Sequence, residues 1–327
     1  NANWSVDDYD SAYFDIDSSG ALSFRSNPNY EAPLDSGHDN SYKVDVDATY
    51  FGEKSTITLT VNLINDPNDA HLVRDSNGVT IKLLNGSSAD VGEALRVDSE
   101  SPTAFYTIVD DTSLAQLKTD ISNGTDGKTD ADFAWINTTL VTDMEALFMG
   151  NLDFDQNISH YDVSNVTTMK DLFYGNDLGD HTFNQDIGDW DVSKVTTMKR
   201  MFAQNTSFNQ DLSQWSVPSL NSTHGMFAFA TAFNNGDAAG ASGTANATFD
   251  LSNVTDFTRM FIGASAFNQN IGNWIVSGAT NMEGMFEDAI KFNQDISAWN
   301  VSSVTNMDNM FNGATDFNQD LTSWECR

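Results

Sequence analysis

The chain has 327 residues, 47 acidic against 15 basic, a net charge of −32 and a pI near 4.1. That balance argues against nucleic acid, whose phosphates are bound by clustered Lys and Arg, and against an anionic membrane surface. No apolar run approaches the ~20 residues that span a bilayer, while 39% hydrophobic residues, with 22 Phe and 7 Trp, argue against bulk disorder.

Residues 1–69 alternate with period two, as in Tyr42-Lys-Val-Asp-Val-Asp-Ala and Ile57-Thr-Leu-Thr-Val-Asn-Leu. The turn clusters Asp17-Ser-Ser-Gly20 and Asp35-Ser-Gly-His-Asp-Asn40 separate these runs. The pattern predicts an all-β antiparallel domain of sandwich type. Asp15-x-Asp17-x-Ser19-Gly20 mimics the start of a calcium loop, but Ser26 stands where a bidentate Glu is required, so the stretch reads as a turn. Pro67-Asn-Asp-Ala70 is the best linker. Residues 70–130 add two strands, Val79-Thr-Ile-Lys-Leu and Ala104-Phe-Tyr-Thr-Ile-Val, and a capped helix from Thr112 to Ile121. They read as an adaptor that covers the first turn of the region beyond.

From residue 131 onward the chain repeats. Phe183, Phe208 and Phe233 are spaced by 25, as are Phe267, Phe292 and Phe317; the gaps of 34 and 29 elsewhere carry loop-like insertions. All eleven Met lie between Met144 and Met310, so this region has a core of its own. Within a unit, Val304, Met307, Met310, Phe311 and Ala314 follow the spacing of a short helix after a Ser302-Ser303 cap. Ile296, Trp299 and Val301 suit a short strand with one residue facing solvent. About eight apolar side chains at roughly 1.5–3 kcal/mol each do not order about 25 residues at roughly 1.5 kcal/mol each. Neighbouring units must supply the remainder. The expected architecture is therefore an α/β solenoid of about six and a half turns, with a parallel sheet on one face and helices on the other.

The motif Phe-Asn-Gln-Asp-Ile-x-x-Trp-x-Val-Ser-x-Val-Thr-x-Met-x-x-Met-Phe-x-x-Ala resembles the repeat of the BspA-like family of bacterial surface proteins. The likeness covers residues 131–327, and the lead-in Asn77-Gly-Val-Thr-Ile-Lys and Thr139-Leu-Val-Thr-Asp-Met144 is similar to that of the family. It implies a leucine-rich-repeat-type fold on an exported adhesion protein, with no enzymatic activity. Residues 1–69 resemble the C-terminal part of a cadherin-like module, through Tyr13-Phe-Asp-Ile-Asp-Ser-Ser-Gly-Ala-Leu, Asn29-Tyr-Glu-Ala-Pro and Leu59-Thr-Val-Asn-Leu-Ile-Asn-Asp-Pro. That likeness implies calcium ligation by Glu31, Asn65 and Asp66. The sequence departs from the module at Leu63, where an Asp is usual.

The recurrent Asn184, Asn209, Asn268, Asn293 and Asn318 are expected to satisfy backbone groups between turns. Asp186, Asp211, Asp295 and Asp320 form a column in phase with them. His38, His71, His160, His181 and His224 have no ligand spacing and suggest neither a zinc site nor a triad. The variable positions around each Trp-x-Val are the candidate ligand-binding residues: His160 and Asp162, Asp189 and Asp191, Gln214 and Ser216, Asn273 and Ile275, Ala298 and Asn300. The expectation is a non-enzymatic extracellular adhesin segment that recognises a protein or glycan. The alternatives are a passive spacer and a carbohydrate-active enzyme with an acidic pair. The acid-rich surface and the near-absence of cysteine fit an extracellular setting. Neither an initiator Met nor a signal-peptide pattern opens the sequence, which reads as a mature or excised segment. Cys326, the lone cysteine, has no partner within the chain and leaves pairing with another chain open.

Overall fold

A computed structural model describes residues 3–7, 11–17, 21–25, 41–50, 53–62, 72–74, 77, 79–83, 91–92, 94–96, 105–124, 127–176, 179–241 and 251–324. The chain divides into two compact units: residues 1–72, 83–89 and 94–105 form the first, and residues 73–82, 90–93 and 106–327 the second. Residues 70–130, expected as one adaptor, are thus shared between the two.

In the first unit, the period-two runs form β4 (Ser41–Tyr50) and β5 (Glu53–Asn62), paired antiparallel from Ser41↔Asn62 to Tyr50↔Glu53. β1 (Asn3–Asp7) pairs antiparallel with the other edge of β4, and β2 (Phe14–Ile16) forms a hairpin with β3 (Leu22–Phe24). Alternation puts Val44 and Val46 inward, and Phe14 and Val44 centre a small core with Val6, Tyr13 and Leu22. Asp47 on β4 is buried, and it accepts a hydrogen bond from Thr56 Oγ1 (2.5 Å) and pairs with Lys54 Nζ (2.8 Å) across the strand. In the calcium-like stretch, Asp17 Oδ1 accepts from the Ala21 amide and Asp15 pairs with Arg25, so both carboxylates serve the hairpin.

Short strands follow: β6 (Leu72–Arg74), β7 (Ile81–Leu83), β8 (Ala94–Arg96), β9 (Phe105–Ile108) and β10 (Ile136–Asn137), the last two paired in parallel. The expected helix is present as α1 (Asp111–Asn123), closed by an Asp110–Ser113 capping box at one end and by left-handed Gly124 at the other.

The repeat forms seven stacked coils, but not from the elements expected. Among the described residues after Asn137 there is neither an α-helix nor a multi-residue strand. In the first coil the amides of Leu147, Met149 and Asn151 bond three residues back, to Met144, Ala146 and Phe148. Those of Met144, Ala146, Phe148 and Gly150 instead donate onward to the carbonyls of Thr168, Lys170, Leu172 and Tyr174 in the next coil. This alternation recurs down the stack, and a parallel row of bridges runs beside it from Asp143 through Thr168, Thr197, Ser222, Asp256 and Asn281 to Asn306. Consecutive turns keep residues i, i+3, i+4 and i+7 on one side, as a helix does. Met282, Met285, Phe286 and Ala289 are accordingly all buried. The apolar stripe faces inward as its spacing predicts, but the backbone beneath it is a chain of turns and not the expected helix. A helix would have spent its amides within one unit, whereas the turns release every second one to bond a neighbour.

That path requires left-handed residues: Ala146, Asp171, Arg200, Arg259 and Asn309, at equivalent positions, have φ between 53° and 58°. Outside glycine this conformation costs roughly 1–2 kcal/mol, and at Ala146, Asp171, Arg200 and Arg259 the onward bonds offset it. Phenylalanine stacking reinforces the register. Phe148, Phe173, Phe202, Phe227, Phe261, Phe286 and Phe311 form one column and Phe154, Phe183, Phe208, Phe233, Phe267, Phe292 and Phe317 a second. Ring centroids lie 3.8–4.2 Å apart within each coil and 5.4–5.7 Å apart between coils in the first column.

The asparagine ladder forms as expected. Asn209, Asn234, Asn268, Asn293 and Asn318 each donate their amide N–H to the Oδ1 of the preceding asparagine, at 2.7–3.0 Å. On the same principle Trp190, Trp215, Trp299 and Trp324 donate Nε1–H to a carbonyl of the coil before, Trp215 to Ile187 O at 3.0 Å. Trp215 is 4% exposed. Trp215→Ala is therefore expected to cost about 3–5 kcal/mol, read as a lowered chemical-denaturation midpoint. Exchange should accelerate first in the coils on either side, because each coil touches only its neighbours.

Candidate functional site

In each coil the Trp-x-Val segment precedes the backbone ladder, and the ladder occupies the stretch expected to be helical. The inward-outward alternation holds here without a strand. Trp190, Val192, Trp215, Val217, Trp274, Val276, Trp299 and Val301 are buried, while Asp191, Ser216, Ile275 and Asn300 between them are exposed. Asp189, Gln214, Asn273 and Ala298, one position earlier, are exposed as well. Eight of the ten candidate positions thus point outward.

His160 and Asp162 do not belong to it. His160 is 9% and Asp162 3% exposed. The His160 ring packs on Tyr106 with centroids 5.2 Å apart, its Nε2 lies 3.3 Å from Ile136 O, and its carbonyl accepts from the Ile81 amide at 2.8 Å. Asp162 Oδ1 accepts from Ser164 N and Oγ, and Thr138 Oγ1 donates to Asp162 O. The segments that precede the repeat lie over this first Trp-x-Val equivalent and close it. In-unit periodicity placed both side chains outward; only the packing of a non-repeated segment turned them into interior groups.

The remaining positions differ in what they do. Asp191 Oδ1 accepts from Ser193 N at 3.1 Å and Asn300 Oδ1 from Ser302 N at 3.2 Å, so each caps its own turn. Asp189 makes no side-chain hydrogen bond among the described residues. It lines a cleft of about 170 Å³ with Val79, Asn157, Ser159, Gln185 and Asp186. The column of Asp186, Asp211, Asp295 and Asp320 also caps turns: each Oδ1 accepts from the amide two residues on, at 2.8–2.9 Å. Hydrogen bonds from Ser297 hold the Asp295 carboxyl below its usual pKa, and those from Thr322 do the same for Asp320.

Glu31, Asn65 and Asp66, the implied calcium ligands, lie outside the described residues, as does Cys326. Among the described residues no group of three His, Cys, Asp or Glu is placed to hold a metal, and no helix is long and apolar enough to cross a membrane.

Sequence reasoning missed three groups. Asp171 in one coil receives a bidentate pair from Arg200 in the next, at 2.7 and 2.8 Å, and Arg200 lies 5.0 Å above the Tyr174 ring. Asp111 and Lys118 of α1 close the first coil. Asp111 accepts from the Thr142 and Asp143 amides, and Lys118 Nζ donates to Ala146 O. Burial works against the Asp111 carboxylate, but the bonds from Thr142 and Asp143 outweigh it and lower its pKa. Burial likewise lowers the pKa of Lys118. The third is His181, fully buried, whose Nδ1 accepts from the Phe183 amide (3.1 Å) while Nε2 lies 3.2 Å from Phe148 O. One coil on, Asn205 occupies the matching place, donating to Phe183 O and accepting from Phe208 N. The cue was positional, since both precede a repeat phenylalanine by two or three residues.

The family described as "Mycoplasma protein of unknown function, DUF285" matches residues 116–241 and 238–327. No curated protein and no solved structure matches the chain.

Burial lowers the His181 pKa from 6.5 to about 4, outweighing the opposing pull of Phe148 O, Asp155 and Asp153. A depressed folded-state pKa means that its contribution is present above pH 6.5 and is lost as pH falls towards 4. The loss is about 3 kcal/mol at most. His181→Asn, which copies Asn205, is expected to keep the fold. It should also flatten the stability curve between pH 6.5 and 4 relative to the parent, as read by denaturant midpoints at each pH.

Proposed function

We propose, from the premise that the chain belongs to the Mycoplasma-type DUF285 family of unknown function, that it is a non-enzymatic recognition segment of a BspA-like extracellular surface protein. On this reading the stacked coils are a leucine-rich-repeat-type solenoid in which a ladder of turns replaces the helical face. The binding surface is the outward row Asp189, Asp191, Gln214, Ser216, Asn273, Ile275, Ala298 and Asn300. One observation carries this: on a frame of repeated buried Trp and Val, the exposed neighbours change from coil to coil in charge, size and polarity. An idle solvated face has no need of that variety, whereas a surface selected for a particular protein or glycan does. The continuous bonding through seven coils favours a second reading, a stiff spacer. The cadherin-like resemblance of residues 1–69 adds calcium at Glu31, Asn65 and Asp66 to the proposal.

The test is a panel of glycans and extracellular proteins probed with the parent and with the Asp189→Asn/Asp191→Asn double variant. Asn at 191 retains the Oδ1 that caps the turn, so folding should stay within about 0.5 kcal/mol of the parent. Affinity for the captured ligand should fall, most at low salt if the ligand is cationic. Unaltered affinity would place recognition elsewhere, and an empty panel would leave the spacer reading.

For calcium, the melting temperature of the N-terminal unit should rise in millimolar calcium over chelator, since a ligand held only by the folded state stabilises it. Identical melting in the two would remove the ion.

A further inference from the structure

Between α1 and the first coil the packing leaves two clefts, and Lys118 of α1 lines both. The larger, about 390 Å³, has apolar walls from Ile121, Phe133, Leu147 and Met149. Phe133 and Leu147 are buried, Ile121 is partly buried and Met149 is 37% exposed. The volume falls in the range of roughly 300–1,000 Å³ typical of small-molecule sites. The polar side chains of this cleft are Lys118, Ser122, Asp130 and Asn151. Three of them are already engaged: Ser122 Oγ donates to Lys118 O at 2.9 Å, and Asn151 Nδ2 donates to Asp130 Oδ1 at 2.7 Å.

Lys118 is different. Its Nζ donates to Ala146 O, which already accepts the Met149 amide from within its own turn at 3.2 Å. That carbonyl is satisfied without an ammonium. Of the three N–H groups on Nζ one is used, and the other two meet no acceptor among the described residues. In a chain with 47 acidic residues, no described carboxylate lies within ion-pair distance of this amine. Burial lowers its pKa, and no neighbouring charge opposes the shift. Half-buried and unpaired, the ammonium carries a desolvation cost that an anion in the cleft would offset.

The smaller cleft, about 220 Å³, repels such an ion, because Asp111, Asp143 and Glu145 line it. We propose that the larger cleft binds a small aliphatic carboxylate, with its head on Lys118 Nζ and its chain along Ile121, Phe133, Leu147 and Met149. One ammonium matches one negative charge, and N–H groups on a cation make their strongest bonds to a carboxylate or phosphate. A phosphate dianion would leave surplus charge beside Asp130, which argues for the monoanion. The apolar walls gain only from a ligand with a tail. The inference is independent of what the Trp-x-Val surface binds.

The experiment is an NMR titration of the isotopically labelled full chain with sodium hexanoate, hexan-1-ol and hexylamine in turn. Hexanoate is expected to shift the amides of Lys118, Ile121, Leu147 and Met149 saturably. It should bind about tenfold more tightly than hexan-1-ol, the margin of a hydrogen bond between charged groups. Lys118→Met keeps the aliphatic stem and should erase the preference for hexanoate over the alcohol. Met149→Glu leaves Lys118 in place and sets a like charge beside the ligand, so hexanoate should weaken about fivefold. Its unchanged melting temperature would separate that loss from unfolding. The proposal is overturned by the absence of saturable shifts at tens of millimolar hexanoate, by hexan-1-ol binding as tightly, or by hexylamine binding more tightly. Unaltered hexanoate affinity in Met149→Glu, or an unaltered preference in Lys118→Met, would overturn it as well.

Discussion

Every second amide in the turn segment of each of the first six coils bonds to the next coil, and the rest of the second unit follows from that constraint. An amide that leaves its own unit must find a carbonyl at the right height in another, which fixes the coil-to-coil register at four places at once. The left-handed residues Ala146, Asp171, Arg200, Arg259 and Asn309 are what the path demands. Their strain of roughly 1–2 kcal/mol each is tolerable only because the surrounding bonds over-determine them. Phenylalanine then fills the interior without disturbing the register. A flat ring stacks on its copy in the next coil, and a second ring completes the layer at about 4 Å. The asparagine column does the same for the polar corner of each coil, one Oδ1 taking one amide per step.

The ladder also decides where a ligand is able to bind. The side that carries the hydrogen bonds holds its backbone close and spends much of its charge on pairs between coils, as Asp171 and Arg200 show. The Trp-x-Val side is anchored from beneath by indole N–H groups, so its outward residues are released from structural duty. Among the described residues the Asp189 carboxylate makes no such bond, whereas an Asp191 oxygen caps a turn. Where the stack begins, that freedom ends. The segments before the repeat need a surface to pack on and take the first coil's outward face, which is why His160 and Asp162 lie inside.

A stack with directional bonds has two chemically different ends. The end rich in carbonyls is met by α1, whose Asp111 takes the Thr142 amide in place of a preceding carbonyl and whose Lys118 adds a donor to Ala146 O. The end rich in amides offers donors, and a helix of the same kind would not satisfy them.

The sequence by itself determined the repeat, its 25-residue period, the buried identity of the Trp, Met and Phe columns and the bridging role of the asparagines. All of these depend on which side of the chain a residue faces, and periodicity reports that side directly. It also determined the antiparallel pairing of the runs around Val44 and Ile57 and the presence of α1, where local alternation and capping suffice. It did not determine the backbone beneath the Met-x-x-Met-Phe stripe, because a helix and a chain of three-residue turns place the same residues inward. Only the tertiary structure chose between them, through bonds that exist solely when a second coil is present. The same holds for the candidate surface. Eight of its positions were legible from the alternation around Trp-x-Val, but His160 is held inside by Tyr106 and Ile81, distant in sequence and outside the repeat. His181 and Asn205 acquired their shared task in the same way, from carbonyls that folding brought within reach.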